Sequence, residues 1–252
     1  MRRLLAALFL STLLPLIGMA QWSDYELDTT LWGGGLPYGL TEGFNLPCET
    51  NVTEPSFILT FIPTDTAVVA DDGKWLTFDG FWMMTTEVTR YLWKTVMGNN
   101  AFAEDDKLPV NNVSPAEVNL FVQRLDSMMG MQFRLPTLEE WVFAMQGGHR
   151  SEDYRFSGSN NANFVAWWKQ NAKGPHTVAQ RLPNEAELYD MTGNVAEMVV
   201  MPNGEIRALG GHYASDETEL TDKQKGISAD KADPRIGFRL VCTTQRTMNS
   251  IR

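Results

Sequence analysis

The amino-acid sequence predicts one domain in which a few short helices and scattered strands are joined by long ordered loops. Three observations support this prediction. Segments rich in β-branched and aromatic residues lie early in the chain, three capped helical segments follow between residues 87 and 147, and most of residues 150–235 has no regular hydrophobic period. A domain with loops of that length often needs something besides its hydrophobic core to hold them.

The amino terminus has the pattern of a signal peptide. Arg2 and Arg3 precede an apolar run at residues 4–17, which ends in small residues. Pro15 interrupts the run, and the run is shorter than the roughly 20 residues of a membrane helix. We therefore expect residues 1–20 to be cleaved and the protein to be exported to the periplasm, the cell surface or the medium. An uncleaved anchor is the alternative.

Charge and length limit the partners and the domain count. Removal of the signal peptide takes away two arginines and no acidic residue, so the formal net charge changes from −10 to −12. That charge argues against a nucleic-acid partner, and no later apolar run is long enough to span a membrane. We expect an irregular segment at residues 21–53, one domain at 54–243 and a tail at 244–252.

Two cysteines, Cys48 and Cys242, are present. In an oxidising compartment they could form a disulfide between the amino-terminal segment and the last strand. Two buried thiols are the alternative.

Local signals place the regular elements. Strands are predicted at residues 56–62 and 75–84, with a turn at 71–73 between them, and again at residues 237–242. The three helices share a side-chain cap at the start and a glycine at the end, and run from Thr89 to Gly98, from Ser114 to Gly130 and from Thr137 to Gly147. Glu117 and Glu140 complete capping boxes in the second and third helices.

Six short motifs follow one another in a specific order. They are EVT at 87–89, LPVNNVS at 108–114, RLPTLEEW at 134–141, LPNEAELYDMTGNVAEM at 182–198, GGHY at 210–213 and IGFRL at 236–240. Together they resemble the formylglycine-generating enzyme, or sulfatase-modifying factor, domain family over roughly residues 55–242. The resemblance implies an α+β variant of the C-type lectin fold, with little regular secondary structure and with calcium ions that hold loops.

The first calcium site is expected around Gly193. Asp190 and Glu197 lie seven residues apart, a spacing that lets two carboxylates and backbone carbonyls converge on one hard cation. The resemblance implies side-chain ligands from Asp190 and Glu197 and backbone ligands from Gly193 and Val195. A glycine turn followed by a surface acid is the alternative.

A second calcium site is implied at Asn163 and the backbone of Phe164. The family has an aspartate about a dozen residues later, whereas this chain has Gln170 and Asn171 and no acid. Because neutral oxygens alone bind calcium weakly in water, we expect this site to be lost or altered.

The usual chemistry of the family requires two cysteines that bind copper. The resemblance puts them just after the GGHY motif, where this chain has Ser215 and Leu220. Neither residue can form a thiolate, the soft ligand that copper needs. We therefore expect neither copper binding nor formylglycine formation.

Other polar residues follow the same motif. His212 with Asp216, Glu217 or Glu219 could supply the histidine and two carboxylates of a non-heme iron site. Such proximity arises easily in an acidic loop, and a lone histidine there is more often a hydrogen-bonding residue. Iron is therefore not expected.

Two function classes remain. The first is a non-catalytic, calcium-stabilised binding or structural module whose loops at 150–181 and 212–235 face a protein or glycan. Phe164, Trp167 and Trp168 would be its exposed anchors, or else core residues. The second is a periplasmic tailoring oxidase or other cysteine-independent enzyme that uses Glu217 and Glu219, among others. The fold alone does not separate the two classes.

Overall fold

The structure is a computed structural model, and it describes residues 41–46, 56–63, 65–68, 75–78, 80–98, 107–221 and 226–242. At residues 65–68 and 75–78 the backbone alone is described. All of these residues lie within the unit of residues 36–252. The predicted signal peptide, Cys48 and the predicted tail lie outside the described residues.

One sheet has five strands, all paired antiparallel in the order β1, β2, β5, β11, β6. Their bounds are Thr41–Phe44 (β1), Phe57–Ile62 (β2), Phe81–Met84 (β5), Val241–Cys242 (β11) and Phe133–Arg134 (β6). Strand β1 corrects the sequence analysis, because it lies within the segment expected to be irregular. It pairs with β2 over its whole length, from Thr41 opposite Thr60 to Phe44 opposite Phe57.

A second sheet has four strands in the order β10, β7, β8, β9. Their bounds are Ile236–Gly237 (β10), Ala196–Val200 (β7), Ile206–Leu209 (β8) and Ile227–Ser228 (β9). Strands β10 and β7 run parallel, and the other pairs are antiparallel. Strands β3 (Asp65–Val68) and β4 (Trp75–Phe78) form a separate antiparallel pair.

The three predicted helices are confirmed with their caps. They are α1 (Arg90–Met97), α2 (Pro115–Met129) and α3 (Leu138–Met145), and a single further turn, α4, spans Ala162–Val165. Ser114 and Thr137 each form the predicted capping box, and Gly98 adopts the left-handed conformation that ends α1. The C-cap of α3 is Gln146, so the predicted glycine end of this helix at Gly147 is wrong by one residue.

The strand predictions were partly wrong. The segment expected to be one strand at 75–84 is two strands, β4 and β5, and the last segment forms the short strands β10 and β11 with residues 238–240 between them. Strands β7 and β8 were not predicted. Four consecutive residues of β7 are buried, so both faces of this strand are covered. The alternation of apolar and polar residues that marks a half-exposed strand is therefore missing.

Three apolar clusters fill the interior. The first lies between the five-stranded sheet and helices α1 and α2, where the Trp93 and Phe121 rings stack at 5.1 Å and Phe238 packs edge-on to both. The second surrounds Trp141 of α3. The third is small and joins the loops: Phe156, Ala162, Val165, Ala166, Trp168 and Leu220.

Candidate functional site

A buried ion pair lies where the two larger sheets meet. Arg239 follows β10 and Glu197 lies in β7, and their side chains are 0% and 1% exposed. The guanidinium donates from Nη2 to Oε1 of Glu197 at 2.6 Å and from Nε to Oε2 at 2.7 Å. The indole Nε1 of Trp141 donates to the same Oε2 at 2.8 Å. The carboxylate is therefore held by a bidentate cation and by the central tryptophan of α3.

The remaining donors of Arg239 bind the backbone. Nη1 donates to the carbonyl oxygens of Met84 at 3.1 Å and Thr85 at 3.3 Å, and Nη2 donates to that of Tyr189 at 2.7 Å. With the two contacts to Glu197, these account for all five N–H groups of the guanidinium. One side chain thus joins β5, β7 and the segment before the turn formed by Thr192, Gly193 and Asn194, here called the TGN turn.

Two further carboxyl groups lie beside this pair. Glu87 and Asp190 are 1% and 2% exposed. Asp190 Oδ2 accepts the N–H of Ala179 at 2.7 Å, whereas Asp190 Oδ1 and both Glu87 oxygens have no hydrogen-bond partner within the described part of the chain. Burial raises the pKa of Asp190 to about 6. Burial, and then the charges of Asp190 and Glu197, raise the pKa of Glu87 well above its usual range.

Glu197, one of the residues expected to bind the first calcium ion, is held by Arg239. Both of its oxygens accept hydrogen bonds from the guanidinium. Asp190, the other expected carboxylate ligand, keeps Oδ1 without a hydrogen-bond partner within the described residues. Calcium binding by Asp190, Gly193, Val195 and Glu197 stays a prediction.

Gly193 and the following Asn194 hold a loop. Gly193 has φ +81°, and a Cβ there would lie 2.4 Å from the carbonyl oxygen of Trp167. The same carbonyl accepts the N–H of Asn194 at 2.8 Å. The Asn194 side chain then accepts the N–H of His176 at 2.9 Å and donates to its carbonyl at 3.2 Å. The TGN turn is thus the surface on which residues 167–176 rest.

Protein donors contact the residues of the second predicted calcium site. Asn163 Oδ1 accepts from Nε1 of Trp168 at 3.1 Å, and the Asn163 carbonyl accepts from Nη1 of Arg181 at 2.8 Å. The carbonyl of Phe164 accepts the N–H of Leu182 at 3.0 Å. The expectation that this site is lost or altered stays a prediction.

The two positions of the missing cysteines face inward. Ser215 is buried, and its Oγ accepts the N–H of His212 at 3.1 Å. Leu220 is 0% exposed and packs in the third apolar cluster with Phe156 and Trp168. One position therefore has a hydrogen-bonding role and the other is a core position.

The candidate iron ligands have separate partners. Asp216 pairs with Lys169 at 2.8 Å, Glu217 pairs with Arg155 at 2.8 Å, and Glu219 accepts the N–H of Asp216 at 2.9 Å. Among the described residues, no group of three histidine, cysteine or acidic side chains is placed to hold a metal.

His212 has a local role. It is 8% exposed, and its Nδ1 accepts the N–H of Ala214 at 3.1 Å, which requires an unprotonated nitrogen. Burial, followed by the charge of Arg235, lowers its pKa. His212 is therefore a neutral hydrogen-bonding residue of the loop.

The aromatic residues proposed as anchors divide into three environments. Trp168 is a core residue at 4% exposure, Trp167 is half-buried, and Phe164 is 56% exposed. Leu182, which is 59% exposed, hydrogen-bonds to the Phe164 backbone. Of the three predicted anchors, Phe164 has the exposure that an anchor needs.

A cleft that sequence reasoning missed opens beside the third cluster. It has a volume of about 500 Å³ and lies between the end of α3, the segment at 151–160 and Thr221. Its walls include the exposed ring of Tyr154 and the polar side chains of Asn160 and Arg155. Arg155 also pairs with Glu217, so the cleft adjoins the loop of the missing cysteines. None of the residues that line the cleft belongs to the six motifs, so the sequence analysis had no signal for it.

Cys242 is buried in β11, and burial raises the pKa of its thiol. Its pairing with Cys48 stays a prediction, because Cys48 lies outside the described residues. Within the described ranges, no helix is both long and apolar enough to cross a membrane.

Replacement of Glu87 by glutamine tests the buried charge. In the wild type, the pKa of Glu87 is higher in the folded protein than in the unfolded chain, so stability falls as pH rises between the two values. The neutral glutamine side chain has no such dependence. We expect the free energy of unfolding of Glu87→Gln, relative to wild type, to grow by about 1.4 kcal/mol per pH unit in that window.

Urea unfolding between about pH 5 and pH 8 measures this difference. The exposed Glu187→Gln is the matched control and should track the wild type. If the difference in unfolding free energy between Glu87→Gln and wild type stays flat or shrinks as pH rises, Glu87 is not held in the protonated form.

Replacement of Gly193 by alanine tests the contact with the loop. The matched control is Gly98→Ala, because Gly98 has a similar φ of +68° but no atom within 4 Å of its added Cβ. We expect Gly98→Ala to lower the free energy of unfolding by about 1 kcal/mol and Gly193→Ala by about 3 kcal/mol or more. If urea unfolding shows equal losses of unfolding free energy in the two variants, the close approach of the Trp167 carbonyl to Gly193 is contradicted.

Comparison with solved structures places the fold. Treponema denticola variable protein 1 matches with a TM-score of 0.70 and 23% identity, over 81% of this chain and 99% of that one. PvdO from Pseudomonas aeruginosa matches with a TM-score of 0.66 and 15% identity, over 82% of this chain and 99% of that one. CarF matches with a TM-score of 0.61 and 21% identity, over 73% of this chain and 97% of that one. At these identities the likeness shows the fold alone.

Sequence comparison adds a curated relative and a family. Chaperone protein LppX from Paenibacillus barcinonensis is 40% identical over a match that covers 26% of this chain and 30% of that protein's length. The family model described as the sulfatase-modifying factor enzyme 1-like domain matches residues 65–244. Because this match covers most of the chain and agrees with the α+β fold, the chain belongs to the sulfatase-modifying factor enzyme 1-like domain family.

Proposed function

We propose that the protein is an exported, non-catalytic binding module whose ligand-facing surface is formed by residues 151–182 and 212–221. The observation that supports this best is the burial of Leu220. A position that the resemblance assigns to a copper-binding cysteine is here part of an apolar cluster. The export is proposed from the signal-peptide pattern at residues 1–20.

The case against the family's usual chemistry rests on the two loop positions. Copper-dependent oxidation of a cysteine substrate needs thiolates that reach the substrate. The hydroxyl of Ser215 is turned to the backbone of His212, and the side chain of Leu220 has no exposed surface. The one cysteine in the described ranges, Cys242, belongs to the five-stranded sheet.

The case for binding rests on a surface that is already assembled. The ion pairs Lys169–Asp216 and Arg155–Glu217 join the two loops at their outer side, and the third apolar cluster joins them inside. A preformed surface binds more tightly because less conformational entropy is lost on association. The cleft beside it offers the Tyr154 ring together with polar groups, a combination suited to a glycan or a polar protein segment.

The alternative is a cysteine-independent enzyme of the same family. The observation that favours it is the position of Glu217, whose partner Arg155 lines the cleft. Stoichiometric iron or copper in the purified protein would support this alternative over the binding module.

An activity assay tests the absence of formylglycine chemistry. The full-length protein, loaded with Cu(I) under air, should leave a cysteine-containing sulfatase-type peptide unmodified by mass spectrometry. A catalytically active formylglycine-generating enzyme in the same buffer is the positive control. Conversion of the peptide by this protein would end the non-catalytic proposal.

Array binding tests the proposed ligand surface. The labelled protein should bind members of a glycan array or a peptide array, and Tyr154→Ala should reduce that binding at least about tenfold, the scale of a lost aromatic contact. Leu120→Ala is the matched control, because Leu120 is exposed to a similar degree but lies on α2, outside the cleft. Equal binding by Tyr154→Ala and wild type would rule out the cleft as the binding site.

A further inference from the structure

We propose that Phe164, Leu182 and Arg181 form a docking surface for an acidic, apolar segment of a partner protein. Such a segment carries acidic residues next to an aromatic or aliphatic one. The inference rests on the proposed binding role, because it names the class of partner that the surface at residues 151–182 takes. Two observations carry it: an exposed apolar pair and the charge of the loop around that pair.

The apolar pair consists of Phe164 and Leu182, the two most exposed large hydrophobic side chains among the described residues, at 56% and 59%. Their backbones are joined, because the carbonyl oxygen of Phe164 accepts the N–H of Leu182 at 3.0 Å. Phe164 lies in α4, in which Ala162 and Val165 pack into the third apolar cluster. The pair is thus held by a fixed backbone while its side chains face solvent. Adjoining exposed apolar side chains are typical of protein-binding surfaces.

Arg181 adds a positive charge beside the pair. It precedes Leu182, and its Nη1 donates to the carbonyl oxygen of Asn163, the residue before Phe164, at 2.8 Å. Its guanidinium carbon lies 3.8 Å from the ring centre of Trp167, a cation–π contact that fixes the group in place. Within the described residues, no carboxylate forms an ion pair with Arg181. The charge is therefore preorganised and available to a carboxylate of a partner.

The loop around the pair differs in charge from the rest of the protein. Residues 154–184 contain four of the 21 basic residues and none of the 31 acidic ones, in a chain whose net charge is −10. Two of the four basic residues pair with acids of the neighbouring loop. The other two, Lys173 and Arg181, form no ion pair in the part of the chain that the structure describes, and Lys173 is exposed. This positive region on an acidic protein attracts an acidic partner and orients it on approach.

The apolar pair favours a protein segment over an acidic glycan. A sugar ring binds by stacking on an aromatic face, and an aliphatic side chain offers it no such face. Leu182 is aliphatic and is the more exposed member of the pair. A partner that brings its own apolar side chain removes both members of the pair from water. Acidic residues next to that side chain are attracted by Arg181 and Lys173.

Binding of defined peptides to the full-length protein tests the proposal. Four sets of synthetic peptides of about ten residues are compared by fluorescence anisotropy: acidic with apolar residues, acidic without them, basic with them and uncharged with them. We expect the first set to bind at least about tenfold more tightly than each of the others, and to bind more weakly at about 300 mM salt than at about 50 mM. Because the net charge of the protein is −10, non-specific attraction favours the basic set instead. Tightest binding by any other set overturns the proposal.

Variants of exposed residues locate the binding. Phe164→Ser should weaken binding of the acidic, apolar peptides at least about tenfold, and Lys173→Glu at least about threefold. Leu120→Ser is the control for the first variant, because Leu120 is 42% exposed but lies on α2. Lys94→Glu is the control for the second, because Lys94 lies on α1. Both controls should bind like the wild type, and equal binding by Phe164→Ser and wild type contradicts the docking surface.

Two further results separate this inference from the proposed binding role. If Tyr154→Ala weakens peptide binding and Phe164→Ser does not, the cleft is the binding site and the docking surface is wrong. If no peptide and no glycan binds, both proposals are wrong. If Phe164→Ser does not fold, Leu182→Ser takes its place with the same expected loss.

Other occupants of the docking surface give results of their own. Binding to an acidic glycan that depends on Phe164 assigns the surface to a different class of ligand, and so does Phe164-dependent binding to phosphatidylglycerol vesicles in preference to phosphatidylcholine vesicles. Light scattering measures self-association, and a dimer that Phe164→Ser dissociates assigns the surface to a second copy of the chain. Each of these results overturns the proposal.

Discussion

The buried contact between Arg239 and Glu197 is the interaction on which the rest of the structure depends. It joins the strand β7 of one sheet to the end of β5 in the other, and Trp141 brings helix α3 to the same carboxylate. Removal of one partner from such a pair costs about 3–5 kcal/mol, since the other charge is left in a dry interior. Glu87 and Asp190 add two more carboxyl groups around one guanidinium, and burial raises the pKa of both.

The loops are built outward from this centre in layers. The TGN turn that leads to Glu197 supports the loop at residues 167–176, through the small surface of Gly193 and the side-chain amide of Asn194. That loop in turn packs Trp168 against Leu220, the residue at a position where the family resemblance expects a cysteine. The scaffold of the family is thus kept, while a position where the resemblance expects its chemistry is part of the packing.

Charged side chains hold the outer layer as well. Arg181 lies against Trp167 and holds its loop, and the pair Lys169–Asp216 connects that loop to the segment after His212. The pair Arg155–Glu217 connects residues 151–160 to the same segment. The acids that sequence spacing grouped around His212 are therefore distributed among three separate contacts. Because each acid has its own partner, the surface around the cleft at Tyr154 is already formed. Among the described residues, these acids do not converge on a metal site.

The sequence by itself determined the local features and the family: the caps at Ser114 and Thr137 and the order of the six motifs depend on neighbours in the chain, so they can be read without a fold. It also indicated that Ser215 and Leu220 cannot form thiolates. Only the tertiary structure decided what Glu197 binds, because Arg239 lies 42 residues away. The same holds for strand β7, whose burial on both faces hides its period, and for Arg181, whose partners are fixed by the fold of the loop.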